Sequence, residues 1–305
     1  MRPTFKIPTG RIVIFAFVSA FILFILFKTW VNLEGFYQVA REIDKFYFYW
    51  AFALMAPITF LGVTRWYLVL KAAGFKIAFW KIFKVVISGI SLSLVPGRLG
   101  DLARSYPLRN SIPVAQSIGT IILEKIIDVS VLILFSGIGL LMLGQMIAAT
   151  IMFCLAVGTI PALMIVRRVR LKLPLNNGVI SKLSDAASIL NTVGQRKIIL
   201  IAAALVSGLN WILSILQVYW LFRAVDSTVP LSAVFAFHPL STFVGLIPVT
   251  IAGVGTRDSA IIYFFKEFAS AEQSLTVGIL YGIQAYWTIG LVCLPLLYYF
   301  FAQRD

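Results

Sequence analysis

Glu124 and Asp128 stand four residues apart in the apolar stretch TIILEKIIDVSVLIL, so they share one face of any helix that stretch forms. Charge at bilayer depth costs at least about 2.5–3.5 kcal/mol per group on insertion scales, so such residues are expected to face a protein interior or water-filled cavity and to have partners. Two carboxylates this close repel, and a cation between or beside them is expected. Lys125 falls on a neighbouring face; Arg98, Arg104 and Arg257 are better candidates, because each lies in a segment broken by proline and glycine. Arginine pairs bidentately with carboxylate and phosphate alike. These residues read as a polar cavity in which Arg98, Arg104 and Arg257 hold a phosphate group while Asp101, Glu124, Asp128 and Asp258 hold the arginines in place. A buried ion-pair network that only fixes helix packing is the competing reading.

The elements that must position this constellation come in two copies. SLSLVPGRLGDLARSYPL at 91–108 and FVGLIPVTIAGVGTRDSAIIYF at 243–264 each run from an apolar helix into proline, glycines, and then Arg and Asp. Pro96 aligns with Pro248, Trp66 with Trp220 and Asp101 with Asp258, at offsets of 152, 154 and 157 residues. The helix breaks are expected at Pro96, Gly97 and Gly100 in one copy and at Pro248, Gly253 and Gly255 in the other, where exposed N–H groups add positive dipole ends. Broken helices carrying charge at matching places in two membrane repeats point to a transport site.

Of the 305 residues, 60% are hydrophobic and only 12% charged, and the mean hydropathy is +0.96. A soluble domain could not cover that much apolar surface, so the solvent is expected to be a bilayer. Runs long enough to cross it appear near 12–27, 47–70, 113–143, 146–166, 197–222 and 275–301, with 82–110 and 231–266 apolar but interrupted. The predicted fold is all-α and polytopic, about six full spans plus two broken or re-entrant segments in an inverted repeat. The expected layout is a single membrane domain over 1–305, with an N-terminal anchor helix at 12–28, a first repeat at 47–143, a connecting span and basic linker at 144–195 and a second repeat at 196–302.

Net charge is +14, from 26 Lys and Arg against 12 Asp and Glu, which for a multi-span protein mainly marks loops facing anionic lipid. Arg2, Lys6 and Arg11 before the first run place the N-terminus in the cytoplasm, and alternating crossings bring the C-terminus back to the same side of a cytoplasmic (inner) membrane. The loop 29–46 reads as ordinary solvated chain. Cys154 and Cys293 each stand alone in an apolar span and read as packing residues.

His238, the single histidine, precedes Pro239 at the start of the second broken segment. It cannot build a metal site alone; a hydrogen-bonded packing role and a proton-coupling role both fit. No metal or cofactor is expected, nor nucleic acid as a partner. Three other functions were weighed. Glu42 and Asp44 could serve a polyprenyl-phosphate-dependent membrane glycosyltransferase, but Arg41 and Lys45 flank them and the loop is short. An intramembrane aspartyl protease is disfavoured by the spacing and order of its motifs. A non-transporting accessory protein of cell-envelope assembly fits a purely structural charge network.

Pro96-Gly97-Arg98-x-Gly100-Asp101-x-x-Arg104, then Glu124-Lys125-x-x-Asp128, then Ile247-Pro248 followed by Gly253-x-Gly255-x-Arg257-Asp258 resemble the motifs of one family. It is the flippase-like membrane domain of lysylphosphatidylglycerol synthases, also found as stand-alone proteins beside glycosyltransferases. Asp101 and Asp258 stand where that family has Glu, Lys125 where it has Arg, and Ala252 where the first glycine of a pair is usual. The resemblance implies a lipid translocase moving an aminoacylated phospholipid or a polyprenyl-phosphate-linked sugar, not an enzyme. It also implies membrane lipids as partners and glycosyltransferases or other envelope-assembly proteins as neighbours.

Overall fold

The computed structural model describes residues 9–93, 102–168, 189, 193, 196–247 and 249–296, and every regular element among them is helical. The helices are α1 (Thr9–Thr29), α2 (Leu33–Arg41), α3 (Lys45–Ala53), α4 (Met55–Ala72), α5 (Phe79–Ser93), α6 (Val114–Met142), α7 (Met146–Arg168), α8 (Lys197–Ala224), α9 (Leu231–Val244), α10 (Thr256–Phe265), α11 (Ala271–Gly282) and α12 (Ile289–Val292). A 3-10 turn, Tyr106–Leu108, precedes α6, and a π-helical segment, Ile283–Thr288, joins α11 to α12.

Among the described residues, each expected apolar run is largely helical, because length and hydropathy are local properties of the chain. Length and composition together single out three crossing helices, Lys45–Ala72, Lys197–Ala224 and Ala271–Val292. The pair Val13–Thr29 and Leu33–Arg41 makes a fourth if its bend of 101° is counted within one span. At 29 residues, α6 matches these helices in length while carrying Glu124, Lys125 and Asp128.

Segment 29–46 is not a plain loop, as its charges had suggested. Asn32 caps α2 by accepting from the Glu34 N–H at 3.0 Å, and Asp44 caps α3 by accepting from the Phe46 N–H at 2.8 Å. Asparagine and aspartate suit this position because a short side-chain oxygen reaches the first free amide of the helix. Glu42 accepts from Gln38 Nε2 at 3.3 Å, so Glu42 and Asp44 are both engaged locally.

The interrupted segment 231–266 divides into α9 and α10 around a break at 245–255. Pro239 lies inside α9 without ending it. The break turns on three left-handed residues, Ala252 at φ 51°, Gly253 at φ 78° and Gly255 at φ 88°. Alanine carries a Cβ penalty there that glycine does not. Ala252→Gly is therefore expected to raise stability by about 0.5–1 kcal/mol, the relief being partly offset by the freer unfolded chain. A lower thermal midpoint in micelles for Ala252→Gly would contradict the strain. In the first copy, Pro96, Gly97, Arg98, Gly100 and Asp101 lie outside the described residues, as does Pro248 in the second.

The first long helices of the two halves pack antiparallel. The Asp44 N–H donates to the Ala224 carbonyl at 2.8 Å, and Tyr47 stacks on Trp220 with ring centroids 5.5 Å apart. Asn210 Nδ2 donates to the Ile58 carbonyl at 2.6 Å, and Arg196 Nη1 donates to the Lys71 carbonyl at 2.8 Å. Thus α3 and α4 run up the seam while α8 runs down it. The α6–α9 crossing is close: Ser136 Oγ donates to the Ala236 carbonyl at 2.9 Å, and Gly139 meets the backbone of Phe235 and Ala236 directly. Apolar clusters fill each half, around Trp66, Ile82 and Leu108 in the first and around Phe222 and Phe265 in the second. Cys293 is buried as a packing residue should be, whereas Cys154 faces outward from α7.

Candidate functional site

The halves enclose a cavity of about 780 Å³ lined by α4, α5, α6, α8 and residues of the α11–α12 segment. Most of its wall is apolar, as small-molecule sites usually are. Its charged floor comes from α4, α6 and Arg104 in the turn before Tyr106–Leu108. Arg65 donates through Nε and Nη2 to Glu124 Oε1, at 3.2 and 3.0 Å, and its Nη1 lies 2.7 Å from Asp128 Oδ1. Arg104 Nη2 pairs with the other Glu124 oxygen, Oε2, at 3.1 Å. Exposures of 7% for Arg65, 4% for Arg104, 1% for Glu124 and 6% for Asp128 put the whole network out of contact with lipid.

Neighbouring side chains hold these charges in place. The Arg104 guanidinium sits 4.8 Å above the Trp66 ring, whose Nε1 donates to Thr120 Oγ1 at 3.2 Å. Asp128 Oδ1 also accepts from Ser207 Oγ at 2.7 Å and Trp211 Nε1 at 3.2 Å, tying α8 of the second half to the network of the first. Arg65, Arg104 and Lys125 against Glu124 and Asp128 give this described lining an excess of one positive charge. A slightly cationic floor under apolar walls is suited to an anionic group attached to something apolar.

The cation shared by Glu124 and Asp128 is Arg65, a residue the sequence reading missed. Its signal was present: an arginine in the middle of TFLGVTRWYLVL, beside the Trp66 used to align the repeats. Arg104 does join the carboxylates, and Arg98 lies outside the described residues.

Arg257 and Asp258 stand apart, in the second half. Asp258 Oδ2 accepts from the Gly255 N–H at 2.9 Å, capping α10. Its Oδ1 receives Arg257 Nη2 at 2.9 Å, and the same nitrogen donates to the Gly278 carbonyl at 3.0 Å. The Arg257 guanidinium lies over the rings of Tyr281 and Tyr286, 5.2 and 5.7 Å from their centroids. Those tyrosines line the cavity and Arg257 itself does not. Its Nε and Nη1 have no hydrogen-bond partner among the described residues. Gly245, Gly278 and Gly282 make room for the pair, since a Cβ at each would come within 2.9 Å of an Arg257 or Asp258 atom.

His238 is fully buried, its Nε2 3.0 Å from Ser214 Oγ and its ring edge-on to Tyr281. Gln217 Nε2 donates to Gln284 Oε1 at 2.9 Å beside it. The second half thus contributes neutral polar groups to the cavity wall, where the first contributes charges.

A helical membrane protein with a buried ionic cavity is the class this architecture defines. Residues 11–293 match the lysylphosphatidylglycerol synthase TM region, and the chain belongs to that family. A UPF0104 membrane protein of Methanocaldococcus jannaschii is 21% identical over 284 residues, covering 82% of this chain and 83% of its own. A UPF0104 membrane protein of Methanothermobacter thermautotrophicus is 27% identical over 128 residues, 41% of this chain and 38% of its own length.

Proposed function

We propose that the chain is a lipid translocase that moves an anionic or phosphate-bearing lipid, a polyprenyl-phosphate-linked sugar or an aminoacylated phospholipid, across the cytoplasmic membrane. The observation that carries this reading is the cavity itself, apolar-walled and lined from both halves, with Arg65 and Arg104 buried over Glu124 and Asp128. Buried charge of this kind is expensive in a bilayer and is kept where a polar cargo passes. The antiparallel packing of α4 against α8 supports an inverted repeat, in which one site opens alternately to the two faces. On this reading Arg104 contacts the head group. Arg257 supports the wall behind Tyr281 and Tyr286. The chain moves the lipid and makes or breaks no bond in it.

Proteoliposomes carrying fluorescent phosphate-bearing lipid, scored by quenching from outside, test the proposal. Arg104→Gln is expected to slow translocation about ten- to hundredfold, the worth of one charge-assisted hydrogen bond. Translocation at the normal rate by folded Arg104→Gln would instead favour a structural network and an accessory role.

A further inference from the structure

Beside the polar cavity lies a second hollow of about 610 Å³, between Met55 and Thr59 of α4, Phe83 and Ile87 of α5, and Thr288 and Ile289 at the start of α12. We infer that this groove holds the hydrocarbon chain of the lipid whose anionic head enters the cavity, an inference that rests on the translocase reading. Three observations point to an amphiphile and not to a second protein surface.

The first is adjacency. Met55, Thr59 and Ile289 line both hollows, so the two meet at these three side chains and a ligand in one lies against the other. The second is chemistry. Among the described residues, no charged one lines the groove. Its two hydroxyls are already engaged: Thr59 Oγ1 donates to the Met55 carbonyl at 2.8 Å and Thr288 Oγ1 to the Ile283 carbonyl at 2.9 Å. What remains for a ligand is methyl, ring and methylene surface, which rewards burial of hydrocarbon. The third is access. Ala56, Pro57, Phe60 and Val292 on its rim are exposed, so the groove opens sideways to where lipid chains lie.

Local backbone irregularity frames the groove on both sides. The helix breaks at Leu54 between α3 and α4. Across from it, the wider π turn at Ile283–Thr288 shifts the phase of the residues that follow, which include Ile289. Single π turns inside helices are frequent at functional sites. A ligand with one charged end and one long apolar end matches the adjoining hollows; a soluble anion would leave the groove empty.

The test uses the full chain in phosphatidylcholine nanodiscs, with phosphatidic acid bearing a photoactivatable diazirine in its acyl chain as the probe. Adducts mapped by peptide mass spectrometry are expected to be severalfold enriched on Phe83, Ile87, Ile289 and Val292 over the outward-facing Phe17, Phe24, Ile201 and Leu205. Ala56→Trp, which fills the groove from an exposed position, is expected to abolish that enrichment. Even labelling of groove and outer faces, or enrichment unchanged in Ala56→Trp, overturns the inference. Phosphatidic acid retained by wild type but not by Arg104→Gln, read by native mass spectrometry of the same samples, reports on the cavity separately. A cavity without a groove and a groove without a cavity therefore give different pairs of results.

Discussion

Glu124→Ala is expected to destabilise the protein by about 3–5 kcal/mol, the usual cost of removing one partner from a buried ion pair. One oxygen of Glu124 accepts from Arg65 and the other from Arg104, and the carboxylate is 1% exposed. Its loss leaves two guanidiniums facing each other with the negative charge between them gone. Glu124→Gln keeps the shape and one acceptor oxygen, so its cost should be smaller. Arg65→Lys should not restore the wild-type value, because Arg65 spans Glu124 and Asp128 with different nitrogens and an ammonium cannot reproduce that fork. Thermal midpoints in detergent, compared with the exposed control Glu267→Ala, measure this. A Glu124→Ala midpoint equal to the control would mean that the network contributes nothing to stability.

Gly139→Val is expected to cost at least about 3 kcal/mol or to prevent folding, at or beyond the upper end of overpacking effects. A Cβ on Gly139 would lie 2.1 Å from the Ala236 nitrogen and 2.5 Å from the Phe235 carbonyl carbon, backbone atoms that no rotamer change can move. Small residues let helix backbones approach this closely in membrane proteins. Two other glycines calibrate the effect. At Gly137 the added carbon would meet the Phe153 ring at 3.0 Å, a side chain that can turn, so Gly137→Ala should be milder. At Gly208 the nearest atom is 3.9 Å away, and Gly208→Ala should stabilise α8 by up to about 1 kcal/mol. If the three variants shared one midpoint, close approach at Gly139 would not be what holds α6 against α9.

The features legible in the sequence were those written locally. Apolar runs became helices, and the Pro- and Gly-rich stretch after α9 became a break with Gly253 and Gly255 at positive φ. The carboxylate pair was legible because a spacing of four fixes a shared helix face. Its cation was not, because Arg65 and Glu124 meet across 59 residues and only the packing of α4 on α6 decides the partner. Attention went to arginines in the breaks, while Arg65 sits within an unbroken helix. Helix α2 was overlooked for a different reason. Glu34 and Arg41 suggested solvated chain, yet Leu33, Phe36, Tyr37 and Ala40 follow helical spacing. Asp258 was read as holding an arginine in place, and in the fold it pairs with Arg257 while also capping α10, a second role its motif did not announce.

The antiparallel seam of α3 and α4 against α8 also limits how the cavity can change shape. It is clasped at one end by Asp44 with Ala224 and at the other by Lys71 with Arg196, with Asn210 joined to Ile58 between them. Parting the helices along this keel would break all three of these hydrogen bonds. On the translocase proposal, exchange between inward and outward access is expected to come from α5, α9 and the α11–α12 segment moving relative to this seam. Spin labels at Lys45 with Arg223 and at Lys71 with Lys197, exposed pairs at the two ends of the keel, should keep the same separations in every state the protein visits. A ligand-dependent change in either separation would mean that the keel itself moves.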